Sequence, residues 1–113
     1  MQEEIKAWLK DIEKAMIEIN DFLPEPRNFL VFEKDLKTKR AVERNIEIIG
    51  EAMSRVLNIA PDIQISDSRK IVDTRNRIIH GYDSVSDDVL WLIVVKYLPK
   101  LDKDIQQIMK NSQ

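Results

Sequence analysis

The stretch "IKAWLKDIEKAMIEINDFLPEP", residues 5–26, decides the fold class. Ile5, Leu9, Ile12, Met16, Ile19 and Leu23 step by fours and threes, which makes one apolar stripe on a helix. Pro24 and Pro26 end it, because proline bars the residue before it from the helical region. Further along the chain the same period returns. After "NFLVFEKDL", read as a turn of helix or a packed loop, a second long helix begins near Asp35 or Thr38, either able to cap it. Its inward face is Val42, Ile46, Ile49, Met53 and Val56. "NIAPDIQIS" reads as loop, and Ser66, Asp67 or Ser68 is expected to cap a third helix running to about His80, where Gly81 offers a terminator. Ser86, with Asp87 and Asp88 to suit the helix dipole, opens a fourth. Its stripe is Val94, Leu98, Leu101, Ile105 and Ile108, with a kink expected at Pro99.

No segment alternates with period two over strand length. The expectation is an all-α fold, an up-and-down bundle of four to five helices, with residues 1–113 forming one domain. The run "VLWLIVV", Val89 to Val95, is apolar all round. Either it lies at the centre of the bundle, or a second copy of the chain covers its outer face.

Composition narrows the chemistry. Cysteine is absent and histidine occurs once, which removes thiol nucleophiles and thiolate metal sites and all but removes structural zinc. No metal and no cofactor is expected. "MQEEIKAWLKDIEK" carries no apolar signal core, and "VLWLIVV" falls far short of the roughly 20 residues that span a bilayer, so the expected location is the cytoplasm and no membrane partner is expected. A formal charge of −2 excludes a generic polycation that coats nucleic acid; phosphate recognition must be local.

The single histidine stands in "DTRNRIIHGYDS", residues 73–84. At roughly 100° per residue Arg75, Asn76 and His80 share a broad arc of the third helix, with Arg69 on it, while Ile71, Val72, Ile78 and Ile79 are left to supply the buried side. Such a set suits metal-free cleavage of RNA. A base takes the 2′-hydroxyl proton, an acid protonates the departing 5′-oxygen, and a cation stabilises the phosphorane. Histidine fits both proton roles and arginine the third. Asn76 could orient the imidazole or hold a phosphate oxygen. The reaction needs an acid and a base, and a two-fold dimer would bring two histidines to one cleft. On spacing alone the bland reading of His80 is a cap for helix carbonyls, that of Arg77 a solvated or ion-paired side chain, and that of Tyr82 a half-buried anchor.

"RNRIIHGY" fits R-x-x-x-x-H-x-Y at Arg75, His80 and Tyr82, with Asn76 after the arginine. "AVERNIEIIGEAM" fits A-x-x-R-x-x-E-x-I-G-E-A at Ala41, Arg44, Glu47, Ile49, Gly50, Glu51 and Ala52. With "VLWLIVVKYLPKL" as the last helix, the whole chain resembles the HEPN domains of the HepT type, small helical toxins encoded beside a minimal nucleotidyltransferase antitoxin. The resemblance implies a metal-independent endoribonuclease of a type VII toxin–antitoxin pair, acting on RNA as a homodimer with Arg75 and His80 catalytic. It also implies that the nucleotidyltransferase silences the toxin by transferring AMP to Tyr82. Two other classes compete with the ribonuclease. One is a non-catalytic nucleotide- or substrate-binding adaptor for a nucleotidyltransferase, the other a structural dimerisation domain. The intact Arg75, His80 and Tyr82 set favours the ribonuclease. Close approach of another helix is the expected reason for Gly50, and Glu47 and Glu51 are expected to pair with Arg75 or Arg77 rather than to hold a metal.

Overall fold

A computed structural model describes residues 1–81 and 85–112. Five helices follow one another: α1 Glu3–Phe22, α2 Phe29–Lys34, α3 Leu36–Ile59, α4 Ser68–Ile79 and a composite α5. The last joins Asp87–Leu92 through a π-helical segment, Ile93–Tyr97, to Leu98–Asn111. Among the described residues there is no strand, and no helix is long and apolar enough to cross a membrane.

The stripes of α1 and α3 face each other and make the core. Leu9, Ile12, Val42, Ile46, Ile49, Met53 and Val56 are fully enclosed there, each such aliphatic side chain contributing about 1.5–3 kcal/mol by leaving water. Glu3 and Glu4 place negative charge at the N-terminal end of α1. The chain leaves that helix at buried Leu23, just before Pro24. The segment the sequence left as helix or loop is the helix α2, capped by Asn28, whose side-chain oxygen accepts the Val31 N–H at 3.2 Å. Phe32 of α2 is buried and stacks with Phe29 on Trp91 of α5, centroids 5.1 and 5.7 Å from that ring. Asp35 rather than Thr38 caps α3, accepting both the Thr38 N–H at 3.0 Å and its hydroxyl at 2.6 Å.

Two expectations need correction, and a third gains detail. Asp67 stands at the N-cap of α4, but neither it nor a neighbouring serine caps through its side chain. Its backbone is left-handed, φ 58°, and its carboxylate turns to Lys100 Nζ at 3.4 Å and Lys70 Nζ at 3.9 Å. Ile79 does not belong to the buried side of α4; it is 45% exposed, because the inward face centres on Ser68, Ile71 and Thr74. Thr74 is tolerated there since its hydroxyl donates to the Lys70 carbonyl at 2.8 Å. At Pro99, where a kink is expected, the helix widens just upstream. The Leu98 N–H reaches back five residues to Ile93 O, and Pro99, which has no N–H to offer Val95 O, sits in the first turn that follows.

The apolar run of α5 is not enclosed at the centre. Leu90, Ile93 and Val94 are buried, while Leu92 and Val95 remain 43% and 42% exposed. The molecule extends 42 × 30 × 18 Å, and within one copy this stretch of α5 buries one face only.

Candidate active site

Helix α4 lies close on α3 because position 50 has no side chain. A Cβ built on Gly50 would run into the Cβ of Arg75, stand 2.9 Å from its Cγ and 3.1 Å from the Ile71 carbonyl oxygen. The stem of Arg75 therefore rests on the α3 backbone, as the close-approach reading of Gly50 expects. From that fixed stem the guanidinium reaches two partners. Nη1 donates to Asn76 Oδ1 at 2.8 Å, and Nη2 stands 4.0 Å from Glu51 Oε2. The Arg75 Nε is buried and has no hydrogen-bond partner among the described residues. Packing on Gly50 and one short hydrogen bond thus set the position of this cation, with a weaker ionic contact behind them.

Within the chain the amide oxygen of Asn76 holds Arg75. Glu51 is shared, its other oxygen accepting from Arg55 Nη2 at 3.0 Å, whereas Glu47 pairs with Arg44 at 3.2 Å. Arg69 and Arg77 are exposed. Glu51 was one of two candidates for the arginine, but Arg55 was missed as its second partner. The i,i+4 spacing of Glu51 and Arg55 was signal enough to find it.

His80 occupies the C-cap of α4, exposed, with its backbone N–H on Asn76 O at 3.2 Å. Gly81 follows at φ 69°, its N–H on Ile78 O at 3.1 Å, the left-handed terminator expected there. Arg75 and Asn76 are thus brought together, and His80 is set about one turn further on at the open end of the same helix. Tyr82 lies outside the described residues. Grooves of about 540 and 620 Å3 lie between α1 and α5 and along α5, and neither is lined by Arg75, Asn76 or His80. Among the described residues no three imidazole or carboxylate groups converge as a metal site would require.

A family model described as "Ribonuclease HepT-like" matches residues 12–108, taking in α2 to α4 and most of α1 and α5. The chain belongs to the HepT-like ribonuclease family. A protein of Methanocaldococcus jannaschii that carries the name "Putative RNase" is 32% identical to this HepT-like chain, over 97% of it and 91% of the relative. "Probable ribonuclease HepT" of Thermococcus cleftensis is 33% identical over 97% of this chain and all of its own length. A further "Putative RNase", from Caldanaerobacter subterraneus, is 31% identical over 76% of this chain and 78% of its own. No solved structure matches the HepT-like chain.

Proposed function

We propose that this HepT-like protein is an endoribonuclease that cuts RNA by metal-free transesterification. One imidazole removes the 2′-hydroxyl proton and O2′ attacks the adjacent phosphorus. A second imidazole hands a proton to the departing O5′, leaving a 2′,3′-cyclic phosphate and a 5′-hydroxyl. Arg75 neutralises charge on the non-bridging oxygens, and Asn76 keeps its guanidinium in place. Since each chain offers only His80, the working unit is a homodimer in which two α4 ends face one cleft. The observation that carries the reading is a clamped arginine about one turn from the chain's sole histidine, at the open end of a helix, in a chain of a ribonuclease family.

Regulation follows the same geometry. In this reading the chain is the toxin of a type VII pair acting in the cytoplasm, and residues 1–113 work as one helical domain. A partner nucleotidyltransferase transfers AMP to the Tyr82 hydroxyl, two residues past His80. The added phosphodiester competes for Arg75 and the adenosine fills the cleft, so silencing needs no unfolding.

The test uses purified, unmodified protein on RNA with chelator present. Cleavage should persist, and His80→Ala and Arg75→Ala should each slow it by at least about 100-fold while keeping helical content. A folded His80→Ala variant that still cuts would end the mechanism. Tyr82→Phe should cut RNA yet take no AMP from the nucleotidyltransferase; equal mass increases on both forms would move the modification elsewhere.

A further inference from the structure

Helix α5 carries an uneven distribution of charge. Taking Lys96 as zero and roughly 100° per residue, Lys100 falls near 40°, Lys103 near 340°, Gln107 near 20° and Lys110 near 320°. Four lysines and a glutamine therefore share an arc about 80° wide, and no carboxylate stands on it. Asp102 and Asp104 lie on the flanks, near 240° and 80°. Asp104 is further committed, accepting the Ser66 N–H at 2.7 Å. The arc is the solvent face, opposite buried Leu98, Leu101 and Ile105.

A chain with 20 acidic and 18 basic residues has carboxylates enough to intersperse, yet α5 itself contributes none to this arc. Among the described residues, Lys96, Lys103 and Lys110 make no ion pair. At its start the row meets α4. Lys70 Nζ donates to Tyr97 Oη at 3.1 Å, and Lys70 and Lys96 stand 5.0 and 5.6 Å from the centroid of that one ring. Asp67 is the acid shared between Lys70 and Lys100. From Lys96 to Lys110 the row is about 21 Å long, beside a groove of about 620 Å3 lined by Lys100, Lys103, Gln107 and Lys110 together with Asp102. Lys70 precedes His80 by ten residues, about 15 Å along α4.

We propose that this lysine row is an exosite for the sugar–phosphate backbone of single-stranded RNA, gripping the substrate outside the cleavage centre. A single strand leaving the α4 end passes Lys70 and follows Lys96, Lys100, Lys103 and Lys110, with a phosphate opposite each. Gln107 adds a hydrogen bond without repelling the strand. The choice of RNA rests on the ribonuclease reading; the row itself rests on the position of the charges. Its selectivity is for length and ionic strength, since phosphate contacts carry no base information.

The experiment is anisotropy titration of a labelled single-stranded RNA of about 20 nucleotides in the His80→Ala background, across salt from about 0.05 to 0.2 M. Combining Lys96→Gln, Lys100→Gln, Lys103→Gln and Lys110→Gln should flatten the plot of log affinity against log salt by about 2.8, at about 0.7 per phosphate lost. It should also weaken binding at least about tenfold at 0.1 M salt. A control removes the same charge elsewhere, through Lys10→Gln, Lys14→Gln, Lys34→Gln and Lys37→Gln, and should leave the slope as it was. Lys103→Glu alone, at an exposed position without an ion pair, should weaken binding several-fold and keeps the test open if the fourfold variant misfolds. Equal slopes for row and control variants overturn the proposal. So does an unchanged RNA isotherm in a row variant that has lost binding to an acidic partner protein. Salt-dependent binding through the row by a wild type that never cuts RNA would sink the nuclease reading alone. Cleaving wild type with an idle row would sink the exosite alone.

Discussion

An alanine at position 50 would drive its methyl into the stem of Arg75 and toward the Ile71 carbonyl, 3.1 Å away. Helix α4 would have to move, and overpacking of this kind costs about 1–3 kcal/mol against at most about 1 kcal/mol regained in helix propensity. Gly50→Ala should therefore lower stability in urea by about 1–2 kcal/mol and displace Arg75 as well. A variant as stable as wild type would remove close approach as the reason for this glycine. Asn76→Ala probes the clamp from the other side. Freed of its 2.8 Å partner, Arg75 should lose alignment, and kcat for RNA should drop about tenfold with thermal stability almost unchanged. Unaltered kcat would make Asn76 a bystander. At this scale the site was half legible. Helical angles put Arg75, Asn76 and His80 on one arc, and the two-fragment motif marked Gly50 and Glu51. The contact between Asn76 and Arg75 was hidden, because side chains at i and i+1 do not ordinarily face each other and only a long, bent arginine closes the gap.

The helices were read from their apolar period, and their ends were harder. Asp35 and Ser86 cap as polar residues before a stripe should, Ser86 accepting the Val89 N–H at 3.3 Å. Ser86→Ala should cost about 1 kcal/mol, measurable by chemical denaturation; no loss would mean that α5 starts without its help. Asp67 escaped the rule because its backbone is left-handed, which no neighbour in the sequence announces. Ile79 was misplaced for a related reason. A short helix with polar Ser68 and Thr74 inside gives a poor stripe from which to locate its buried face. The π-helical widening before Pro99 needed the core to be known, since proline alone permits a kink or a break equally well. The Asp35 cap also carries a pH dependence. The Thr38 hydroxyl and then its N–H hold the carboxyl below its ordinary value; desolvation opposes them, and nearby Lys37 adds a lesser lowering. A group lowered in the folded state stabilises above its unfolded pKa, and that contribution fades as pH falls through the folded value, below about pH 4. Wild type should thus melt above Asp35→Asn at neutral pH, with the gap narrowing as the pH falls below about 4. A gap that stays constant across the acid range would assign the cap's benefit to hydrogen bonding without charge.

For the molecule as a whole, a body 18 Å thick with one histidine per chain poses a single problem twice. The apolar run of α5 is covered on one side; Leu92 and Val95 face out, and Ile79 does so near the end of α4. The proposed reaction likewise lacks its second proton carrier. A two-fold dimer answers both needs if apolar surface from each copy closes around two His80 side chains. Light scattering at micromolar concentration should then give twice the 13.3 kDa chain mass, and a monomer would dismiss the dimer cleft. Mass alone does not separate a shared centre from two independent ones. Mixed dimers do. When wild type carrying one tag is purified together with His80→Ala carrying another, each mixed dimer holds one imidazole. If acid and base come from different copies, every scission in that dimer lacks one of them, and its rate should fall at least about 100-fold. If each copy cuts alone, the mixed dimer should keep half the wild-type rate, and the proton transfers would have to be reassigned within one chain.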